Sequence, residues 1–136
     1  MTNNYSKIVV STYGNGIWRA TLPEGICYIE SDLNVTTSQT WSDEETICQD
    51  VIIDNASTLT ISGNITLSIA ATITVEDYCS LVIDAGTLIN GNILIKPLGK
   101  LIIKNSEIIQ LNDGDNIDCE LGSQLEFDEG NIEVSN

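Results

Sequence analysis

The stretch Ile73-Thr74-Val75-Glu76-Asp77-Tyr78-Cys79-Ser80-Leu81-Val82-Ile83-Asp84-Ala85-Gly86-Thr87-Leu88 holds three short runs in which apolar residues alternate, separated by two polar corners. Alternation at period two is the signature of strands with one buried face. The question is what pairs with them. The answer is other copies of the same phrase. Aligned on Leu81, the chain repeats at Leu59, Leu101 and Leu125. Eight and six residues before each leucine stand Val51 and Ile53, Ile73 and Val75, Ile93 and Ile95, and Ile117 and Cys119. Two residues after it comes Ile61, Ile83, Ile103 or Phe127. A third apolar group follows in each unit, at Ile65 and Leu67, Leu88, Ile108, and Ile132 with Val134.

Each unit is thus three strands and their corners, repeated at intervals of 22, 20 and 24 residues, a period typical of solenoids. One unit cannot bury its own apolar side. Stacked units do, because equivalent positions then lie about 4.8 Å apart and form continuous inward columns. With about five inward aliphatic residues per unit, burial contributes on the order of 10 kcal/mol gross, most of it offset by ordering entropy. The sequence therefore predicts an all-β fold, a single-stranded parallel β-helix of about 20–24 residues per coil, with coils at 51–72, 73–92, 93–116 and 117–136. The variable coil length favours the right-handed form. Small residues two positions before the leucine (Ser57, Cys79, Gly99, Ser123) and five positions after it (Gly86, Ser106, Gly130) mark sharp corners. Outward positions should also align. Asp84, Lys104 and Asp128 then form a charge-compensated ladder, Asn92 and Asn116 stack, and the aliphatic Val82 and Ile102 face outward, where they need cover or form a contact patch.

Residues 1–50 repeat less cleanly and are expected to cap the solenoid, since an uncovered terminal coil exposes core and unpaired backbone. Leu33 and Val35 lie eight and six residues before Trp41, which places the tryptophan in the leucine column of an irregular coil but leaves Asp43 where an apolar residue is wanted. Lys7–Val10 and Ile26–Ile29 are expected strands, with Tyr13-Gly14-Asn15-Gly16 as the turn after the first. In all, the 136 residues form one structural domain, a cap at 1–50 followed by coils at 51–136.

Composition narrows the function. Twenty acidic against five basic residues give a formal charge of −15, which repels phosphate backbones and anionic membranes and speaks against nucleic-acid binding. No stretch is long and apolar enough to span a membrane, so membrane insertion is not expected. There is no histidine, and Cys27, Cys48, Cys79 and Cys119 contain no C-x-x-C pair, so structural zinc is poorly supported. Buried thiols are the simple reading of the cysteines, and a Cys27–Cys48 disulfide is the alternative. Cys79 and Cys119 fall two coils apart in different columns and should not pair.

The phrases Thr40-Trp41, Ile47-Cys48-x-Asp50-Val51, Ala56-Ser57-Thr58-Leu59-Thr60-Ile61 and Leu81-Val82-Ile83-Asp84-Ala85-Gly86-Thr87-Leu88 resemble the repeats of large secreted or cell-surface proteins of the Bacteroidetes type, over roughly residues 40–134. The resemblance implies an exported right-handed β-helix, often one module of a multidomain chain, with no activity assigned to the repeat. This chain departs from the pattern in carrying Ser or Cys where glycine is usual before Leu59, Leu81 and Leu125.

Catalytic chemistry finds little footing. β-helical enzymes that cleave acidic polysaccharides cluster aspartates with basic residues, whereas here the single arginine, Arg19, lies outside the repeat. Asp84 and Asp128, two coils apart, approach the carboxylate spacing of an inverting glycosidase, but Lys104 stands between them. A solvated charge ladder is the expected reading, and no catalytic residue, cofactor or enzyme activity is assigned. The leading expectation is a non-catalytic structural or adhesion module of an exported surface protein. Its partners would be a cell-surface glycan or other domains of the same chain, with end-to-end self-association through an uncovered coil. A carbohydrate-binding module using Trp18, Tyr28 or Trp41 as stacking platforms is the alternative, and a fragment of a polysaccharide-active enzyme a third.

For a metal, Asn112-Asp113-Gly114-Asp115-Asn116-x-Asp118 gathers oxygen donors about a glycine turn, with Asp113, Asp115 and Asp118 as candidate calcium ligands. Residues 105–136 hold nine acidic side chains and no basic one. Calcium is accordingly expected to raise the thermal unfolding midpoint, and superimposable melting curves in calcium and in chelator would refute the site.

Overall fold

The computed structural model of the chain describes residues 7–12, 16–21, 31–68, 71–90, 92–110 and 116–134, with side-chain environments from residue 31 onward. The described residues form strands and corners only, and none belongs to a helix long and apolar enough to cross a membrane. Near the N-terminus β1 (Lys7–Thr12) and β2 (Gly16–Thr21) form an antiparallel hairpin with Val10 opposite Trp18. The expected strand at Ile26–Ile29 lies outside the described residues.

The remainder is a parallel β-solenoid. Its first rung is β3 (Leu33–Val35), β4 (Gln39–Trp41) and β5 (Glu45–Ile47). The second is β6 (Val51–Ile53), β7 (Thr58–Ile61) and β8 (Asn64–Leu67), and the third is β9 (Thr72–Val75), β10 (Ser80–Asp84) and β11 (Thr87–Ile89). The fourth is β12 (Asn92–Ile95), β13 (Lys100–Lys104) and β14 (Glu107–Gln110), and the fifth is β15 (Ile117–Cys119), β16 (Gln124–Asp128) and β17 (Asn131–Val134). Every third strand joins the same sheet, giving three five-stranded sheets ordered β15-β12-β9-β6-β3, β16-β13-β10-β7-β4 and β17-β14-β11-β8-β5.

The leucine register of the sequence is the register of the fold. Leu59, Leu81, Leu101 and Leu125 face one another through successive rungs, as do Ile61, Ile83, Ile103 and Phe127. From Val51 to Ile108 the inward aliphatic residues of the three sheets merge into one cluster of buried side chains. The first rung departs from the expected alignment. Trp41 pairs with Ile61, not Leu59, and Gln39 occupies the leucine column. The connection from β3 to β4 is two residues shorter than its counterpart in later rungs, so counting back from a leucine misplaces it. Asp43 consequently falls in a corner rather than an inward column.

The corners are built by two different constraints. Between the first and second strands of a rung, an N–H three residues on donates back to a carbonyl, as Cys79 to Glu76 at 3.0 Å, Gly99 to Lys96 at 2.9 Å and Ser123 to Glu120 at 3.0 Å. The third residue of each turn is left-handed, at Ala56, Tyr78, Leu98 and Gly122 (φ 52°, 65°, 65° and 95°). This is the geometry of a type II turn, and Pro97 occupies the position where proline suits it; in the second rung Asn55 is left-handed as well. The left-handed column thus lies one residue before the small residues. Those are small because they are buried: Ser57 and Cys79 are almost fully covered, and a Cβ on Gly99 would come within 3.0 Å of the Lys96 and Val75 carbonyls. Where serine replaces glycine the hydroxyl is used, Ser57 Oγ donating to the Val35 carbonyl of the preceding rung at 2.9 Å.

The second corner demands glycine by close approach. A Cβ on Gly86 would sit 2.6 Å from the Gly63 carbonyl, and one on Gly130 would sit 2.3 Å from that of Ile103. At the intermediate rung Ser106 Oγ donates to Ile83 O at 3.0 Å.

Opposite stability effects should follow from the two corners. Leu98→Gly is expected to raise stability by up to about 1 kcal/mol, since relief of left-handed strain exceeds the added chain entropy. Gly86→Ala is expected to cost about 1–3 kcal/mol by forcing two rungs apart. Denaturant unfolding of the two variants measures both, and changes of the same sign would contradict the corner geometry.

Candidate functional site

A polar groove of about 360 Å³ runs along the corner between the second and third sheets, across the last three rungs. Thr87, Asn105, Ser106, Glu107, Glu129 and Asn131 line it. Its shape follows from the corner. Ala85, Asn105 and Glu129 are left-handed (φ 60°, 48° and 58°), and Ala85 N and Asn105 N donate to Lys104 O and Asp128 O of the next rung at 3.1 and 2.9 Å. The small column Gly86, Ser106 and Gly130 keeps the floor low, the Ser106 hydroxyl turning in to the Ile83 carbonyl. Amides and carboxylates of neighbouring rungs therefore face one channel, a surface suited to hydrogen-bonding a polyhydroxylated ligand or to a cation. Sequence reading missed it because Asn105 with Glu129, and Glu107 with Asn131, come from different rungs and look singly like ordinary corner residues. The signal was that the two columns flanking the small one are polar in both rungs.

The candidates named from sequence are not brought together. Asp118 is an exposed outward residue of β15 in register with Leu94, while Asp113 and Asp115 lie outside the described residues. Among the described residues no group of three or more carboxylate or cysteine side chains is gathered for a metal. Tyr28 also lies outside the described residues, and for Trp18 only the strand position is described. Trp41 is half-buried against the core, its indole N–H donating to Gln39 Oε1 at 3.0 Å, so its ring is engaged rather than presented. Among the described residues the exposed aromatic at a corner is Tyr78, in the left-handed column beside exposed Leu98.

Asp84, Lys104 and Asp128 stand in register through three rungs as anticipated. Among the described residues ion pairs close elsewhere, Lys96–Glu120 at 3.6 Å and Lys100–Glu126 at 3.4 Å. Both are largely solvated and contribute about 0–1 kcal/mol each. The asparagine column holds differently from a side-chain stack: Asn92 Oδ1 accepts from the Asn116 backbone N–H at 3.0 Å, as Asp50 Oδ1 does from Thr72 N–H at 2.9 Å two rungs earlier. Outward Val82 and Ile102 are neighbours and half-buried. Cys48 is disulfide-bonded, correcting the buried-thiol reading at that position; its suggested partner Cys27 lies outside the described residues. Cys79 is a buried free thiol and Cys119 an exposed one, unpaired with each other.

Besides Ser57, one larger polar side chain among the described residues intrudes on the core. Gln110 ends β14 in the column that holds Leu67 in the second rung and Val134 in the fifth. It is 4% exposed, and neither its Nε2 nor its Oε1 has a hydrogen-bond partner.

No protein-family model matches the chain, and neither the curated proteins nor the solved structures contain a significant match.

An orphaned amide is costly, so Gln110→Met, similar in length and without polar atoms, is expected to stabilise the protein by about 1–3 kcal/mol. A lower melting temperature for the variant would show that the amide is satisfied by bound water.

Proposed function

We propose that this chain is a non-catalytic structural or adhesion module of an exported bacterial surface protein, a rigid spacer that displays its outer faces. The observation that carries the reading is the in-register stack itself. Aliphatic columns run through the rungs from Val51 to Ile108, and corner N–H groups bond from rung to rung, as Ser80 to Ser57, Lys100 to Cys79 and Gln124 to Gly99 at 2.9–3.1 Å. Each rung is thereby held to its neighbours along three sheets, which gives a stiff rod whose length is set by the number of rungs.

Two features support export. The phrases that resemble Bacteroidetes-type surface repeats fall on the rungs and the corners between them, and the bonded Cys48 suits an oxidising compartment. The same compartment suits a chain whose acidic excess keeps rods apart.

The alternative, binding of a cell-surface carbohydrate, is favoured by one feature, the groove of Asn105, Glu107, Glu129 and Asn131. Hydroxyl groups of a sugar match its amides and carboxylates, and Tyr78 offers a ring on a separate corner.

In cells that make the protein, external protease should remove it from intact cells, and alkylation with mass analysis should find Cys48 oxidised. A protected protein with a reduced Cys48 would overturn export. On a glycan array the scaffold reading expects no saturable binding. A single glycan class whose binding is lost in Asn105→Ala and Asn131→Ala would establish the alternative instead.

A further inference from the structure

On the outer face of the second sheet, Val82 of β10 and Ile102 of β13 stand in register as an aliphatic pair. At the corner that leads into the same two strands, Tyr78 and Leu98 are 70 and 52% exposed. Both rungs have a neighbour on either side, so this is not the exposure of a terminal rung. Tyr78 and Leu98 also hold the left-handed conformation, where glycine would sit without strain and without an apolar side chain in water. Strain kept at an exposed apolar position, continuous with an outward aliphatic pair, points to a contact made there.

Charge selects the occupant, because the charges of this face are sorted by rung. The third rung carries Glu76, Asp77 and Asp84, and the fourth carries Lys96, Lys100 and Lys104, three of the five basic residues of the chain. Over these two rungs the face is neutral, although the formal charge of the whole chain is −15. Glu76, Asp84 and Lys104 close no ion pair among the described residues. Each acid has its lysine in the same column: Glu76 and Lys96 begin the two corner turns, and Asp84 and Lys104 end β10 and β13 in register. Now let two stacks lie side by side, related by a two-fold axis along the strand direction between the third and fourth rungs. Every column meets its own column, and third rung meets fourth. Glu76 faces the partner's Lys96, Asp84 the partner's Lys104, Tyr78 the partner's Leu98 and Val82 the partner's Ile102, and the symmetry makes each contact twice. An axis on either rung sets each charge against itself, and an axis along the stack sets lysine against lysine within the fourth rung; like charges oppose both. One like pair remains, Asp54 with the partner's Glu120, and it lies beyond the apolar patch.

We propose that the outer face of the second sheet at the third and fourth rungs, with the corner that leads into it, is a self-association surface through which two copies of the chain pair side by side and antiparallel. The acidic excess disfavours lateral contact elsewhere on the stack, and this neutral, apolar patch is where two stacks meet. Pairing of this kind goes beyond the scaffold reading and holds wherever the module resides.

Sedimentation equilibrium of the full 136-residue chain tests the pairing and should show a monomer–dimer equilibrium. A chain carrying Glu76→Lys with Asp84→Lys, and a second carrying Lys96→Glu with Lys104→Glu, should each remain monomeric. Mixed, the two should form a dimer of one copy each, because every column then sets opposite charges together, a recovery that unfolded variants cannot produce. Leu98→Gly relieves the left-handed strain and so leaves a fold at least as stable, yet it should weaken the dimer about tenfold by removing an apolar contact. A chain that stays monomeric up to its solubility limit, a dimer that survives either charge reversal, variants that do not pair on mixing, or a Leu98→Gly dimer as tight as the parent would each overturn the proposal.

Discussion

A short strand with one apolar face cannot bury that face by itself, and this constraint governs the whole molecule. The three strands of a rung point their aliphatic side chains at a common axis, where the only atoms available to cover them belong to the rungs before and after. Leu81 is buried because Leu59 and Leu101 lie one strand spacing to either side. Burial and register are therefore one requirement, and a slip of one residue would turn every leucine outward.

The corners show what that requirement costs. For rungs to stay one strand spacing apart, the chain must turn in the same place and with the same backbone in each. Ala56, Tyr78 and Leu98 hold a left-handed conformation that glycine adopts with ease, and only Gly122 in that column meets it without strain. At the other corner the demand is steric, and Gly63, Gly86 and Gly130 meet it by having no Cβ to strike the previous rung. Serine is tolerated at Ser57 and Ser106 because its hydroxyl bonds the carbonyl that a larger group would hit.

Register also acts on the outside, with weaker consequences. Alignment brings Lys104 between Asp84 and Asp128, yet the lysines that close ion pairs are Lys96 and Lys100. In water a long side chain is under little compulsion to settle on its nearest opposite, because the Coulomb gain is comparable to the rotamer entropy lost. Inside the stack the balance is steeper, which is why Gln110, with both amide atoms unpartnered, stands out against the aliphatic columns around it. In the fifth rung Leu125 and Phe127 keep the pattern of the core but are 39 and 51% exposed.

Period-two alternation and the recurrence of Leu59, Leu81, Leu101 and Leu125 determined the class of fold and the pairing of every rung from the second onward, because both are local patterns multiplied by repetition. The chain alone suggested an irregular coil on Leu33, Val35 and Trp41 but misplaced its register, because a shortened connection shifts Trp41 from one column to the next and breaks the count on which the alignment rests. Nor did it show which corner residue is left-handed, since backbone conformation there is imposed by the neighbouring rungs rather than chosen by Tyr78 or Leu98. The groove of Asn105, Glu107, Glu129 and Asn131 likewise exists only once two rungs are stacked. Local pattern specified what stacks; only the stack decided which side chains are neighbours, because neighbours here are separated by a full coil of sequence.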